Sequence, residues 1–82
     1  MRFGIPTETG LEKGMSERRV ALSPAGVHEL SLAGAEIFVQ RGAGRGAGFT
    51  DEAYRTAGAH IVYTAAEAYG RADIVLRVER PK

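Results

Sequence analysis

Short β-favouring runs alternate with helix-start signals along the chain, and this alternation constrains the fold more than any other feature. The predicted strands cover residues 2–7, 36–40, 60–63 and 73–78. Helices are predicted from Pro24 to about 33, from 50 to about 58, and from Thr64 to about 71. Strands that alternate with helices over short connections indicate an α/β fold, in which helices flank a parallel sheet with right-handed crossovers.

Local capping chemistry gives each predicted helix its start. Ser23 can accept a hydrogen bond from a free backbone N–H, and Pro24 fits the first helical position because its missing N–H costs nothing there. Thr50 precedes two acidic residues, which suit the positive end of a helix. Thr64 and Glu67 have the spacing of a capping box. Three helix starts therefore rest on side chains rather than on average propensity.

Size and composition limit the functions open to the chain. It has 82 residues, and 11 Lys and Arg against 10 Asp and Glu give a net charge of +1, so no basic surface points to nucleic acid. The absence of cysteine and of any apolar run of about 18 residues predicts a cytoplasmic location without membrane insertion. A domain this small has a thin core, which indicates that further chain or another subunit covers it.

A glycine-rich loop follows the second predicted strand and matches G-x-G-x-x-A at Gly42, Gly44 and Ala47. In a dinucleotide-binding turn the helix begins within the motif, and an acidic residue follows about 20 positions later. Here the helix signal waits until Thr50, and Tyr63 stands near the acidic position. A structural loop is the favoured interpretation, and a small nucleotide-binding protein that uses this loop is the weaker alternative.

Two stretches carry a resemblance to a known family: residues 4–8 (GIPTE) and 17–27 (ERRVALSPAGV). They closely resemble the amino-terminal signature of alanine dehydrogenases and of the α subunit of nicotinamide nucleotide transhydrogenase. The resemblance implies that residues 1–82 form the beginning of a flavodoxin-like amino-terminal domain. It also implies that the Rossmann domain with the GxGxxG motif is absent from this chain. The full-length protein would then bind NAD(H) and form a homo-oligomer, and this segment alone would bind no cofactor and have no activity.

The same resemblance separates two activities. Alanine dehydrogenases are expected to hold the substrate carboxylate with an arginine, matched by Arg19, and with a lysine at the position of Glu79. A second carboxylate at that position would repel the substrate. Transhydrogenase α subunits commonly have a neutral amide there, before an Arg-Pro pair that matches Arg80 and Pro81. Hydride transfer between NAD(H) and NADP(H) is therefore the favoured activity, and an alanine dehydrogenase-like enzyme is the alternative.

The candidate substrate or cleft residues are Arg19, Glu79 and Glu8, and no catalytic, cofactor-binding or metal-binding residue is predicted. For Arg19, an ion pair that holds the loop before it is slightly favoured over substrate contact. For Glu79, a surface ion pair with a neighbouring arginine is favoured. A hypothesis of another class is a noncatalytic α/β interaction module that docks a partner through its last strand.

Overall fold

A computed structural model describes residues 1–7 and 22–76. In chain order the elements are β1 (Arg2–Ile5), α1 (Pro24–Leu32), β2 (Glu36–Gln40), a short 3-10 helix (Arg45–Ala47), α2 (Asp51–Ala57), β3 (His60–Val62), α3 (Ala65–Arg71) and β4 (Ile74–Val75). All four predicted strands and all three predicted helices are confirmed, and the predicted end of the fourth strand, residues 77–78, lies outside the described residues. The 3-10 helix was not predicted, and β1 ends two residues early because Pro6 has no N–H to continue the ladder.

The four strands form one parallel sheet in the order β3-β2-β1-β4. Phe3 in β1 is opposite Ile37 in β2 and also opposite Ile74 in β4, so β1 is paired on both sides. The predicted α/β class, with helices flanking a parallel sheet, is therefore confirmed. The order is that of doubly wound sheets whose direction of winding reverses between the first and fourth strands.

Side-chain caps start the helices as the sequence predicts. The Ser23 hydroxyl accepts a hydrogen bond from the Gly26 N–H at 3.2 Å. Thr50 caps α2 by accepting from the Ala53 N–H at 3.0 Å. Thr64 and Glu67 form a reciprocal capping box at the start of α3. Because these interactions are local in sequence, the residues next to each helix start are enough to predict it.

Helices cover the sheet on both sides, and the two sides carry separate clusters. On the α1/α2 face, α1 and α2 pack over the sheet and the buried cluster comprises Ile5, Val27, Ile37, Val39, Ala43, Tyr54 and Ala59. On the α3 face, α3 is the one helix among the described residues, and the buried cluster comprises Phe38, Val62 and Ala68. The alternation along β2 produces this division, since Ile37 and Val39 lie on one side and Phe38 on the other.

Strand β4 is less covered than its sequence suggests. The nearly continuous apolar run predicts a strand that is buried on both faces. In the structure Ile74 is 40% exposed, and β4 pairs with β1 as the last strand of the described sheet. Within the segments that the structure describes, the apolar side chains of β4 are therefore only partly buried.

Candidate functional site

The strand order places the candidate site at one edge of the sheet, between β1 and β4. The chain winds outward from β1 through β2 to β3, and then crosses back over the α3 face to place β4 on the other side of β1. In open α/β sheets, ligands bind outside the carboxyl ends of the strands at such a reversal. Pro6 and Thr7 follow β1 and Leu76 follows β4, so these residues form the described rim of the site.

The three predicted site residues lie outside the described residues. Glu8 directly follows Thr7 in the sequence, and Glu79 follows Leu76 by three positions. Arg19 precedes Leu22 by three positions. Their roles stay predictions, and the described structure supplies the framework from which each of them extends.

Thr7 is tied to the end of β2 by two hydrogen bonds. Its backbone N–H donates to Oε1 of Gln40 at 2.8 Å, and its hydroxyl donates to the backbone carbonyl of Arg41 at 3.0 Å. The carboxyl ends of β1 and β2 are therefore linked beyond the last ladder pair, between Ile5 and Val39. Such links fix the direction in which the chain leaves β1 at the candidate site.

The glycine-rich loop after β2 is closed by its own contacts. Gly42 has a φ of +80°, and its N–H donates to Oδ1 of Asp51 at 2.8 Å. A groove of about 270 Å³ beside this contact is lined by Gly42, Arg45, Gly48, Phe49, Thr50 and Asp51. A phosphate would have to displace the Asp51 carboxylate to reach that N–H, and α2 begins after the motif as predicted. These observations support a structural role for the loop.

Tyr54 is the residue of this region whose contact the sequence did not reveal. Its side chain is fully buried, and its hydroxyl donates to the backbone carbonyl of Leu22 at 2.8 Å. Burial raises the pKa of Tyr54 to about 12, so the hydroxyl keeps its proton at neutral pH. The hydroxyl thus joins residues 32 positions apart in the sequence.

A second groove lies on the α3 face. Its volume is about 470 Å³, and its lining includes Phe38, His60, Tyr63 and Arg71. His60 stacks on Phe38 with ring centroids 5.2 Å apart, and the Arg71 guanidinium lies 6.0 Å from the Phe38 ring.

Among the described residues, no three His, Asp or Glu side chains are grouped closely enough to bind a metal ion. Within residues 1–7 and 22–76, no helix is long and apolar enough to cross a membrane.

Comparison with known proteins shows likeness to two kinds of enzyme. The family profile described as alanine dehydrogenase/PNT, N-terminal domain, matches residues 4–82. Alanine dehydrogenase of Mycobacterium tuberculosis is 47% identical over 81 residues, which are 99% of this chain and 21% of that protein. An NAD(P) transhydrogenase alpha subunit of Rhodospirillum rubrum is 46% identical over 81 residues, which are 99% of this chain and 20% of that protein. The chain thus spans about a fifth of the curated relatives it matches.

Solved structures of the same two kinds of enzyme also superpose on this chain. An L-alanine dehydrogenase superposes with a TM-score of 0.86 at 40% identity, over all of this chain and 21% of that one. A transhydrogenase from Sinorhizobium meliloti superposes with a TM-score of 0.82 at 36% identity, over all of this chain and 22% of that one. Neither comparison separates the two enzyme types, since the scores and identities are close.

Proposed function

Because the chain belongs to the alanine dehydrogenase/PNT N-terminal domain family, we propose that it builds the first domain of a nicotinamide nucleotide oxidoreductase. The full-length protein is of the transhydrogenase α type and transfers hydride between NAD(H) and NADP(H). Within it, this segment forms one wall of the cleft that binds NAD(H), and a separate dinucleotide-binding domain beyond position 82 holds the nucleotide. The coding sequence after Lys82 tests that arrangement, because it must contain a strand, a GxGxxG motif and a helix.

The choice of the transhydrogenase type depends on one observation, the presence of a glutamate at position 79. It occupies the position at which alanine dehydrogenases are expected to have a substrate-binding lysine. The strand order supports its relevance, since β1 and β4 are neighbours and the chain continues from their carboxyl ends toward Glu8 and Glu79. The carboxylate of Glu79 would repel a carboxylate substrate such as pyruvate.

An alanine dehydrogenase activity is the second candidate, and Arg19 is compatible with it, since the stretch that contains this arginine resembles both enzyme types. This arginine matches the residue expected to grip the substrate carboxylate, and a guanidinium can do so through two parallel hydrogen bonds. The curated relatives include both activities at 47% and 46% identity. For these reasons, activity has to be measured for both reactions.

The deciding experiment uses the full-length protein with any cognate subunits. Two rates are measured: reduction by NADH of a spectrally distinct NADP⁺ analogue, and oxidation of NADH that depends on pyruvate and ammonium. We expect the first reaction and not the second. Pyruvate amination without transfer between nucleotides would overturn the proposal in favour of the second candidate.

Charge variants at position 79 refine the result. Glu79→Gln, which restores the neutral amide expected of transhydrogenase α subunits, is expected to keep transfer between nucleotides. Glu79→Lys is expected to bring pyruvate-dependent oxidation above background, because the lysine would attract the carboxylate. Glu52→Gln is the matched control, since Glu52 is an exposed residue of α2 that pairs with Arg55. It is expected to change neither rate.

A further inference from the structure

The α1/α2 face carries an apolar strip at its β4 side. Phe3 in β1 is opposite Ile74 in β4, and it is also opposite Ile37, which belongs to the buried cluster of that face. Leu76 is two residues beyond Ile74, so it points to the same side of the sheet, and it packs against the same cluster. Three side chains, those of Phe3, Ile74 and Leu76, therefore form a continuous surface, the β4 strip.

The positions of α1 and α2 explain why the β4 strip is partly exposed. In the described part of the chain α1 packs against β2 and α2 packs against β3, and both of these strands lie on the side of β1 away from β4. Ile74 is 40% exposed, and Phe3 and Leu76 are only partly buried. The strip thus extends the core of this face to a place that neither α1 nor α2 covers fully.

The rules of chain connection decide which later element can reach the β4 strip. The crossovers from β1 to β2 and from β2 to β3 place α1 and α2 on one face, and the reversed crossover from β3 to β4 places α3 on the other. Parallel crossovers are right-handed in about 98% of cases, so a parallel strand added beyond β4 would also send its helix to the α3 face. The helix that directly follows β4 is therefore not expected to cover the strip.

The size of the strip favours an occupant from the same chain over a second copy. Three side chains, of which Ile74 is 40% exposed, present far less surface than the roughly 800 Å² per partner of a stable protein interface. A tethered segment needs less contact area, because its effective concentration is on the order of millimolar. Such a segment is available, since this chain spans about a fifth of the relatives it matches.

We propose that the β4 strip is the docking surface for an apolar helix of the same protein, located beyond Lys82 and later than the helix that directly follows β4. Helices cover both faces of the sheet in α/β domains, and this helix completes the α1/α2 face over β1 and β4. The inference rests on the proposed function only for the presence of chain beyond Lys82, and the reaction plays no part in it.

Thiol protection in the full-length protein tests whether the strip is covered. Ile74→Cys is expected to react with a thiol reagent more than about tenfold slower in the native protein than in urea, because a covered side chain reacts only after local opening. Leu32→Cys is the control, since Leu32 is 74% exposed at the end of α1, and its two rates are expected to be similar. Mass spectrometry of the labelled peptides keeps other cysteines from interfering. A smaller protection of Ile74→Cys, such as the two- to threefold that 40% exposure alone would give, would overturn the proposal.

Photo-cross-linking in the full-length protein identifies what covers the strip. A photoreactive side chain at position 74 is expected to cross-link within one chain, to a helix separated from β4 by at least one further helix and strand. The same side chain at position 75 is the matched control, because Val75 pairs with Gly4 on the α3 face. It is expected to reach α3 or the helix directly after β4. Denaturing electrophoresis separates products within one chain from products between chains, and peptide mass spectrometry locates each partner.

Four cross-linking results would overturn the proposal. A product of doubled mass would make a second copy the occupant, and a product with another protein would make it a partner subunit. A cross-link to residues 8–21 or to the helix directly after β4 would show that a neighbouring segment covers the strip. No product at position 74 alongside a product at position 75 would show an open strip.

The docking surface and the proposed function fail in different ways. Pyruvate amination without transfer between nucleotides would overturn the transhydrogenase assignment, and it would leave the expected thiol protection and cross-links unchanged. An unprotected cysteine at position 74 in a protein that transfers hydride between nucleotides would overturn the docking surface alone.

Discussion

The two faces of the sheet differ in how they are packed. On the α1/α2 face, two helices touch each other as well as the sheet. The largest fully buried side chain is that of Tyr54, which extends from α2 against the glycine-rich loop. On the α3 face, the described part of the chain has one helix of seven residues, which rests on β1 and β2 beside a groove. Among the described residues, the α1/α2 face therefore carries the larger buried cluster, whereas α3 returns the chain across the sheet to create the reversal at β4.

The largest expected contrast between the faces comes from a matched pair of valines. Val39 is fully buried on the α1/α2 face, and Val39→Ala is expected to lower the free energy of unfolding by about 2 to 3 kcal/mol, through lost burial and a new cavity. Val62 is also buried, at 5% exposed, but it belongs to a smaller cluster and borders a groove into which its neighbours can relax, so Val62→Ala is expected to cost about 1 to 2 kcal/mol. Urea unfolding of both variants measures the two losses, and equal values would erase the contrast between the faces.

Two glycine substitutions test how α3 rests on the sheet. A Cβ at Gly4 would lie 2.5 Å from the carbonyl oxygen of Ala68 and 2.8 Å from Cβ of Ala72. Gly4→Ala is therefore expected to destabilise the domain by about 2 kcal/mol, because α3 must move away from β1. Gly70 lies on α3 with open space around it, so Gly70→Ala is expected to stabilise by roughly 0.5 to 1 kcal/mol. An unchanged or raised thermal midpoint in Gly4→Ala would show that α3 does not rest on Gly4.

Helix caps give a smaller, paired test. Thr64→Ala removes one side of a reciprocal capping box and Thr50→Ala removes a single cap bond, so each is expected to cost about 1 kcal/mol, with the larger loss at Thr64. Hydrogen exchange of the first turns of α3 and α2 localises each loss. A larger loss of stability for Thr50→Ala would show that packing on the α1/α2 face depends on where α2 begins. It would also show that the capping box of Thr64 and Glu67 adds little stability.

The titration of Tyr54 has the smallest expected effect, since it changes nothing under neutral conditions. Burial raises the pKa of Tyr54 to about 12 from an ordinary value near 10, so the folded state favours the protonated phenol. The stability that depends on this proton is present below pH 10, and is lost as the pH rises toward 12. The difference in tyrosinate absorbance between wild type and Tyr54→Phe measures the transition. A midpoint near pH 10 would show that the ring is not buried as described.

The elements of the fold were predictable because their signals are local. Ser23 and Thr64 cap the helices that directly follow them, and the apolar alternation in β2 decides which face each side chain takes. Such signals act within a few residues, so they can be read from the sequence without knowledge of the rest of the fold. The parallel sheet then follows from general rules of chain connection.

The candidate site was only partly predictable. The sequence predicts a structural role for the loop at Gly42, because the helix that follows starts too late for a dinucleotide-binding motif. The structure adds a physical reason, since the Gly42 N–H donates to the Asp51 carboxylate. The bond from Tyr54 to Leu22 could not be predicted, because it joins residues that only tertiary packing brings together. Glu8, Arg19 and Glu79 lie outside the described residues, and their roles rest on family resemblance and position in the sequence.

The central position of β1 also has a consequence for synthesis on the ribosome. Phe3 pairs with Ile37 and with Ile74, which are 34 and 71 residues later in the chain. At about 5 to 20 residues per second, β1 waits about 4 to 14 s after its own synthesis for β4. During that interval one edge of the nascent strand has no partner from its own sheet. Protection of that edge therefore depends on how quickly translation reaches β4.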